Sequence, residues 1–230
     1  MSRVDVGKFM ERKIEGVTVC VDYADFLEVT LPQAMKAFDN VIVVTSKKDK
    51  ETQKLARGMG AEVVVTNSFY EAGAAFNKGK GINEGFRKLR HCDWVCHFDS
   101  DIYFPNGFRK VLNVESLDET FMYGIDRMNI EGREKLQGYL AGGMFCAEDA
   151  PYDSLYRFHN IPLGYFQLFN WVLPTWYPED SKDASESDLE FVRQWDGAHR
   201  KYLDNQKLYH LVSKGGKVQD NWKGRKSPRF

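Results

Sequence analysis

The sequence predicts an α/β fold, a mostly parallel sheet flanked by helices. Three observations predict it. Short apolar, β-branched runs recur four times in the first hundred residues, at 16–21 (GVTVCV), 41–45 (VIVVT), 61–66 (AEVVVT) and 94–98 (WVCHF). Stretches of helical periodicity separate them. The runs are continuous rather than alternating, as expected for strands covered on both faces, and alternation of strand with helix is the pattern of parallel sheets.

Taken in order, the first run ends at Asp22 and Tyr23, and Phe26, Leu27, Leu31, Met35 and Phe38 then share one helical face. After the second run, residues 49–58 read as a helix closed by Gly58 or Gly60. After the third, residues 73–90 read as a helix, apolar at Ala75, Ile82, Phe86 and Leu89. Beyond Pro105 the pattern becomes irregular. Residues 121–125 suggest another strand, 141–145 (AGGMF) a glycine-rich turn entering a strand, and 187–199 a helix capped by Ser185 or Ser187. Residues 151–180 are aromatic and proline-rich without a clean period. No repeat and no linker divides the chain, so 1–230 is read as one domain. Its first half is 14–105; the second, 106–230, carries the irregular segment and a basic tail.

The 230 residues are 43% hydrophobic and 28% charged, enough for a core that needs neither disulfides nor structural metal. A net charge of −1 argues against a protein that coats nucleic acid or an anionic membrane. No apolar run approaches a membrane span and the N-terminus lacks the apolar stretch of a signal peptide, so a cytoplasmic protein without a membrane anchor is expected. Cys20, Cys92, Cys96 and Cys146 lack zinc-site spacing and are expected to be reduced.

The best-placed polar cluster is Asp99-Ser100-Asp101, immediately after the fourth strand. Ligands of open α/β sheets bind past the carboxyl ends of the strands. Two carboxylates one residue apart suit a hard cation such as Mn²⁺ or Mg²⁺, which takes its remaining ligands from phosphates and helps a diphosphate leave. His97, inside the strand, is expected to be buried.

Residues 17–105 resemble the nucleotide-binding half of the GT-A (Rossmann-like) glycosyltransferases, especially the family-2-like group. The resemblance is carried, in order, by VCVDYADFLEVTLPQAM, VIVVTS, KKDKETQKLA, AEVVV, FNKGKGINEGF and DWVCHFDSD. It implies an Asp-x-Asp, metal-dependent hexosyl- or related transferase using a nucleotide-sugar, a UDP-sugar foremost. By the same resemblance Asp22 contacts the nucleoside and Tyr23 packs beside the base. Asp49 lies where the family binds uracil, although Thr45-Ser46-Lys47-Lys48 replaces the usual acidic, glycine-rich loop and leaves the base open. Lys80 lies near the phosphates, and Asn77 and Asn83 fix their loop. Gly143 belongs to an acceptor-side turn. Glu186 or Asp188, with Asp188 favoured, is the catalytic base of an inverting displacement. His210 is a third metal ligand beside Asp99 and Asp101, and Trp222, Lys223 and Arg225 close over the diphosphate.

The acceptor is left open. The aromatic run 162–178 suits core packing or stacking on a sugar or a base, and the basic tail admits a hydroxymethylated base in phage-type DNA besides a glycan or a protein. Two rival classes are a sugar-nucleotide nucleotidyltransferase, which would carry a glycine-rich loop where this chain has VDYADFLEV, and an inactive nucleotide-sugar-binding protein.

Overall fold

The computed structural model describes residues 11–90, 92–142, 156–172, 175–185, 187–215 and 221–230. The first half is four parallel strands with their connecting helices: β1 (Ile14–Val19), α1 (Ala24–Ala37), β2 (Asn40–Ser46), α2 (Lys50–Gly58), β3 (Glu62–Thr66), α3 (Lys78–Phe86) and β4 (Trp94–Phe98). The second half adds β5 (Ile102–Tyr103), α4 (Phe108–Leu112), β6 (Met122–Glu131), α5 (Gly132–Leu140), β7 (Phe166–Asn170), α6 (Ser187–Val192) and β8 (Arg200–Val212). Among the described residues these strands form one mixed sheet in the order β3-β2-β1-β4-β7-β6-β8-β5. β1 runs parallel to both β2 and β4; β7 is antiparallel to β4 and β6, and β5 to β8.

Burial explains the continuous apolar runs. In β2, Val41 and Val43 join the core beneath α1, with Leu27, Leu31, Ala34 and Phe38, while Ile42 and Val44 join the core on the opposite face, with Ile82, Phe86 and Phe191. In β4, Trp94, Cys96 and Phe98 take the first side and Val95 the second. Both faces of β2 and β4 are thus withdrawn from water, and each fully buried large apolar side chain contributes about 1.5–3 kcal/mol.

Two helices are shorter than expected. In place of a helix over 73–90, a 3-10 turn at Ser68–Gly73 precedes α3. The left-handed backbone of Ala72 and Gly73 breaks the helical path, and Asn77 then caps α3 through a 2.9 Å bond from the Lys80 amide. α3 lies close on the sheet because Gly85 has no side chain: a Cβ there would stand 2.5 Å from Val17 and 2.9 Å from Val44. The expected helix over 187–199 ends at Val192, and Asp196 caps a separate 3-10 turn, Gly197–His199.

Residues 162–178, which have no helical or strand period, place β7 in the middle of the sheet. The strand at 121–125 is the start of the longer β6. Of the glycine-rich turn, Gly142 closes α5 in a left-handed conformation, whereas 143–145 lie outside the described residues. Cys20, Cys92 and Cys96 are free thiols, and burial pushes the Cys20 thiol up to about 12. Among the described residues no helix is long and apolar enough to cross a membrane.

Candidate functional site

The order β2-β1-β4 makes the gap between β1 and β4 the point where successive connections turn in opposite directions along the sheet. Crevices of this kind, at the carboxyl ends of strands, are where open α/β folds bind ligands. A cavity of about 190 Å³ opens there, lined by Val19 at the end of β1, by Asp22 and Tyr23 just after it, and by Asp99 and Asp101 after β4.

The Asp-Ser-Asp turn is held from three sides. The Ile102 amide donates to Asp99 O at 3.1 Å, Thr30 Oγ1 of α1 donates to Ser100 O at 2.7 Å, and the Leu211 amide of β8 donates to Asp101 O at 2.9 Å. Pairing of β5 with β8 sets Ile102 opposite His210, which carries the imidazole to Asp101. His210 Nε2 stands 3.4 Å from Asp101 Oδ2, and its Nδ1 is 2.9 Å from Asn129 Oδ1 on β6.

Lys78, the first residue of α3, reaches the opposite side of the turn. Its buried ammonium lies 2.7 Å from Asp99 Oδ1 and 3.5 Å from Asp188 Oδ2 of α6. The Asp188 carboxylate rests directly on Gly164, where a Cβ would be 1.9 Å from Oδ2. Three carboxylates therefore face one ammonium and one imidazole. Burial raises the Asp99 carboxyl above its ordinary value, reinforced by Asp101 and Asp188 and opposed by Lys78. Burial also opposes ionisation of Asp101, but His210, with Arg127 and Lys78, outweighs it and holds that carboxyl low. For Lys78, burial disfavours the charge and the attraction of Asp188 and Asp99 restores it, raising its pKa.

Among the described residues, the buried carboxylate oxygens Asp101 Oδ1 and Asp188 Oδ1 have no hydrogen-bond partner. Buried acceptors are ordinarily satisfied. With Nδ1 directed at Asn129 Oδ1, His210 turns its Nε2 towards the Asp101 carboxylate, an arrangement favourable with a proton or a cation between them. Among the described residues no group of three or more His, Cys, Asp or Glu side chains is arranged to hold a metal ion. The carboxylate and imidazole donors are of the kind that Mn²⁺ and Mg²⁺ accept when a ligand's phosphates supply the remaining positions.

The other sequence-predicted residues divide into those in the cavity and those engaged elsewhere. Asp22 and Tyr23 line it. Asp22 has φ +61°, a strained conformation for a residue with a side chain, held by the Asp49 carboxylate accepting from its amide at 2.7 Å and by Arg225 donating to its carbonyl at 2.8 Å. Asp49 itself does not reach the cavity. It caps α2 by accepting from the Thr52 amide at 3.0 Å, so its expected contact with a base is corrected to support of Asp22.

Asn77 is likewise consumed, capping α3 and donating to the carbonyls of Glu179 and Ser181 at 3.0 and 2.8 Å. Asn83 holds Tyr177. Lys80 pairs with Glu71 at 3.1 Å away from the carboxylates, and Lys78 stands in the place expected for it. Lys223 is exposed and does not line the cavity. Arg225 lies at the cavity wall, but its guanidinium forms a buried two-pronged pair with Asp25 and stacks over Tyr23 at 4.6 Å, so it secures the tail rather than offering a free cation to phosphates. Gly143 and Glu186 lie outside the described residues.

Lys78 and Arg127, which also lines the cavity, are functional candidates that the sequence reading missed. Lys78 had a signal. Asn77 as the cap makes residue 78 the first of the helix, and residues two apart point about 200° apart around a helix, so only one of Lys78 and Lys80 can face the strand ends. Tyr70, Phe76 and Trp222 add aromatic surface to the cavity, and Tyr70 and Trp222 are exposed.

No protein-family model and no curated protein matches the chain. Solved structures do. Mannosyl-3-phosphoglycerate synthase from Rubrobacter xylanophilus aligns at 14% identity and TM-score 0.57, over 91% of this chain and 69% of that one. Glucosyl-3-phosphoglycerate synthase from Mycobacterium tuberculosis, in complex with Mn²⁺ and UDP-glucose, aligns at 14% identity and TM-score 0.56, over 91% of this chain and 73% of that one. The same enzyme with UDP gives 15% and 0.52, over 91% and 74%. The chain spans about two thirds to three quarters of the length of the solved structures it matches. At such identity the likeness is one of architecture: this chain has the mixed α/β fold of the GT-A glycosyltransferase structures.

Proposed function

We propose that the protein is a metal-dependent glycosyltransferase that moves a sugar from a nucleotide-sugar, a UDP-sugar foremost, to an acceptor hydroxyl. One observation carries the reading: the partnerless oxygen of Asp101 and the facing imidazole of His210 stand beside Asp99 and Lys78 at the strand ends where a nucleotide diphosphate would lie. The Mn²⁺ and UDP-glucose named for a structure of like fold are consistent with that chemistry.

In this reading Asp99, Asp101 and His210 would hold Mn²⁺ or Mg²⁺. When bound, the cation neutralises the diphosphate and so eases its departure. The Lys78 ammonium adds a fixed positive charge on the same side, where a preorganised donor stabilises charge developing on the leaving group. Tyr23, Tyr70 and Phe76 offer aromatic faces to the nucleoside, and the Asp22 carboxylate accepts from its hydroxyl or N–H groups. Asp188 takes the proton of the acceptor hydroxyl as that oxygen attacks the anomeric carbon, and direct displacement inverts the centre. The acceptor is a hydroxyl of a glycan, a protein or a hydroxymethylated DNA base.

The test is a panel of nucleotide-sugars with Mn²⁺, reading nucleoside diphosphate release with each acceptor class and the anomeric configuration of the product. Asp101→Ala should abolish metal-dependent transfer. Activity within a few-fold of wild type would reject the assignment.

A further inference from the structure

The elements that carry Lys78, Asp99 and Asp188 meet at one side chain behind the cavity, Tyr177. Its ring is buried and its backbone is tied to α3, with its amide donating to Asn83 Oδ1 at 2.9 Å and its carbonyl accepting from Asn83 Nδ2 at 2.9 Å. Its hydroxyl donates to Gln167 Oε1 on β7 and lies 2.9 Å from His97 Nδ1 on β4, two residues before Asp99. The Gln167 amide donates from Nε2 to Pro162 O at 2.9 Å and to Asp188 O at 3.3 Å.

Two carbonyls as partners fix which end of that amide is nitrogen. Gln167 Oε1 must then accept from Tyr177, so the Tyr177 oxygen accepts from His97 Nδ1–H. The protons on Tyr177, Gln167 and His97 Nδ1 are thereby assigned; His97 Nε2, on the far side of the ring, is buried without a hydrogen-bond partner among the described residues. The ring of Tyr177 also lies parallel to Phe191 of α6, at 3.8 Å between centroids and 5° between planes. Phe191 is three residues beyond Asp188, so α6 is gripped at its first turn by a hydrogen bond and near its end by a stacked ring.

A phenylalanine would fill the same volume and keep the stack. What the hydroxyl adds is a polar link, inside an apolar core, from β4 through Gln167 to the Asp188 backbone. An unsatisfied buried polar group is costly, so such a network has one geometry or fails. We propose that Tyr177 is a positioning residue, holding α6 through Gln167 and Phe191 so that the Asp188 carboxylate lies over Gly164 and faces the cavity. The inference rests on the reading of Asp188 as the base that activates the acceptor.

The experiment is a double-mutant cycle on the full chain with the donor and acceptor that the panel identifies. Tyr177→Phe should lower kcat by about tenfold to a hundredfold, the scale expected when a reacting group is misplaced by a fraction of an ångström, with the donor KM within about twofold. In an Asp188→Asn background the same substitution should change the residual rate by less than about twofold, because a residue acting through Asp188 has nothing left to position. An equal loss in both backgrounds, or no loss in the first, overturns the inference. If Tyr177→Phe melts below the assay temperature, Gln167→Met is carried through the same cycle with the same criteria. A wild-type protein inert towards every donor would instead overturn the transferase reading, so the two failures are distinct.

Discussion

Replacing Lys78 with Met removes the cation that Asp99 and Asp188 share. At an effective dielectric of about 20, unit charges at the observed 2.7 and 3.5 Å attract by roughly 6 and 5 kcal/mol, most of which offsets the desolvation of three charged groups. What the substitution exposes is the cost of leaving the carboxylates without their partner, about 3–5 kcal/mol for a buried pair. The two carboxylates retain 32% and 21% of their side-chain exposure, and the Asp99 carboxyl, already held high, can take up a proton, so the lower end is expected.

For a chain of 230 residues, about 3 kcal/mol corresponds to a melting temperature lowered by roughly 6–12 °C. The assay is a circular-dichroism melt at neutral pH in chelator, repeated with Mn²⁺. A cation bound by the aspartates restores positive charge, so Mn²⁺ should raise the melt of Lys78→Met by more than that of wild type. A chelator melt within about 1 °C of wild type would show that the ammonium does not hold these carboxylates together.

The tail should be acid-labile. Burial pushes the Asp25 carboxyl up, but Arg225 and the Phe230 amide outweigh it and hold it below its ordinary value, so its stabilisation is complete above about pH 4, the unfolded carboxylate's range, and is lost as pH falls through the lower folded value. The difference in melting temperature between wild type and Arg225→Met should be wide at neutral pH and close on acidification; a difference independent of pH would contradict the pairing. Gly164→Ala should displace the Asp188 carboxylate, now 1.9–2.2 Å from the added methyl position, and lower kcat by about 10²-fold while UDP binding, measured by calorimetry, is kept. An unchanged kcat would place the base elsewhere.

What the sequence determined by itself was local. Strands buried on both faces must be apolar at successive positions, so β1, β2 and β4 were legible in their composition, as was the half-buried β3 in its β-branched run, and with them the alternation of strand and helix that makes a parallel sheet. Asp99 and Asp101 were legible because their place in space follows from their place in the chain, one step past a buried strand.

Everything set by partners distant in sequence was decided only by the tertiary structure. Asp49, Asn77 and Arg225 carry the right groups for nucleotide binding, yet each is occupied: Asp49 and Asn77 by helix amides, Arg225 by a carboxylate two hundred positions away. The choice of Lys78 over Lys80 depends on the phase of α3, which a capping bond and close packing on Val17 and Val44 establish. The aromatic run around β7 has no period because its residues alternate between sheet pairing, both cores and the Tyr177 network. A pattern along the chain reports how a segment repeats against one surface; it carries no information about which of several competing partners will saturate a given donor or acceptor, and at this site that saturation decides which residues remain open to a ligand.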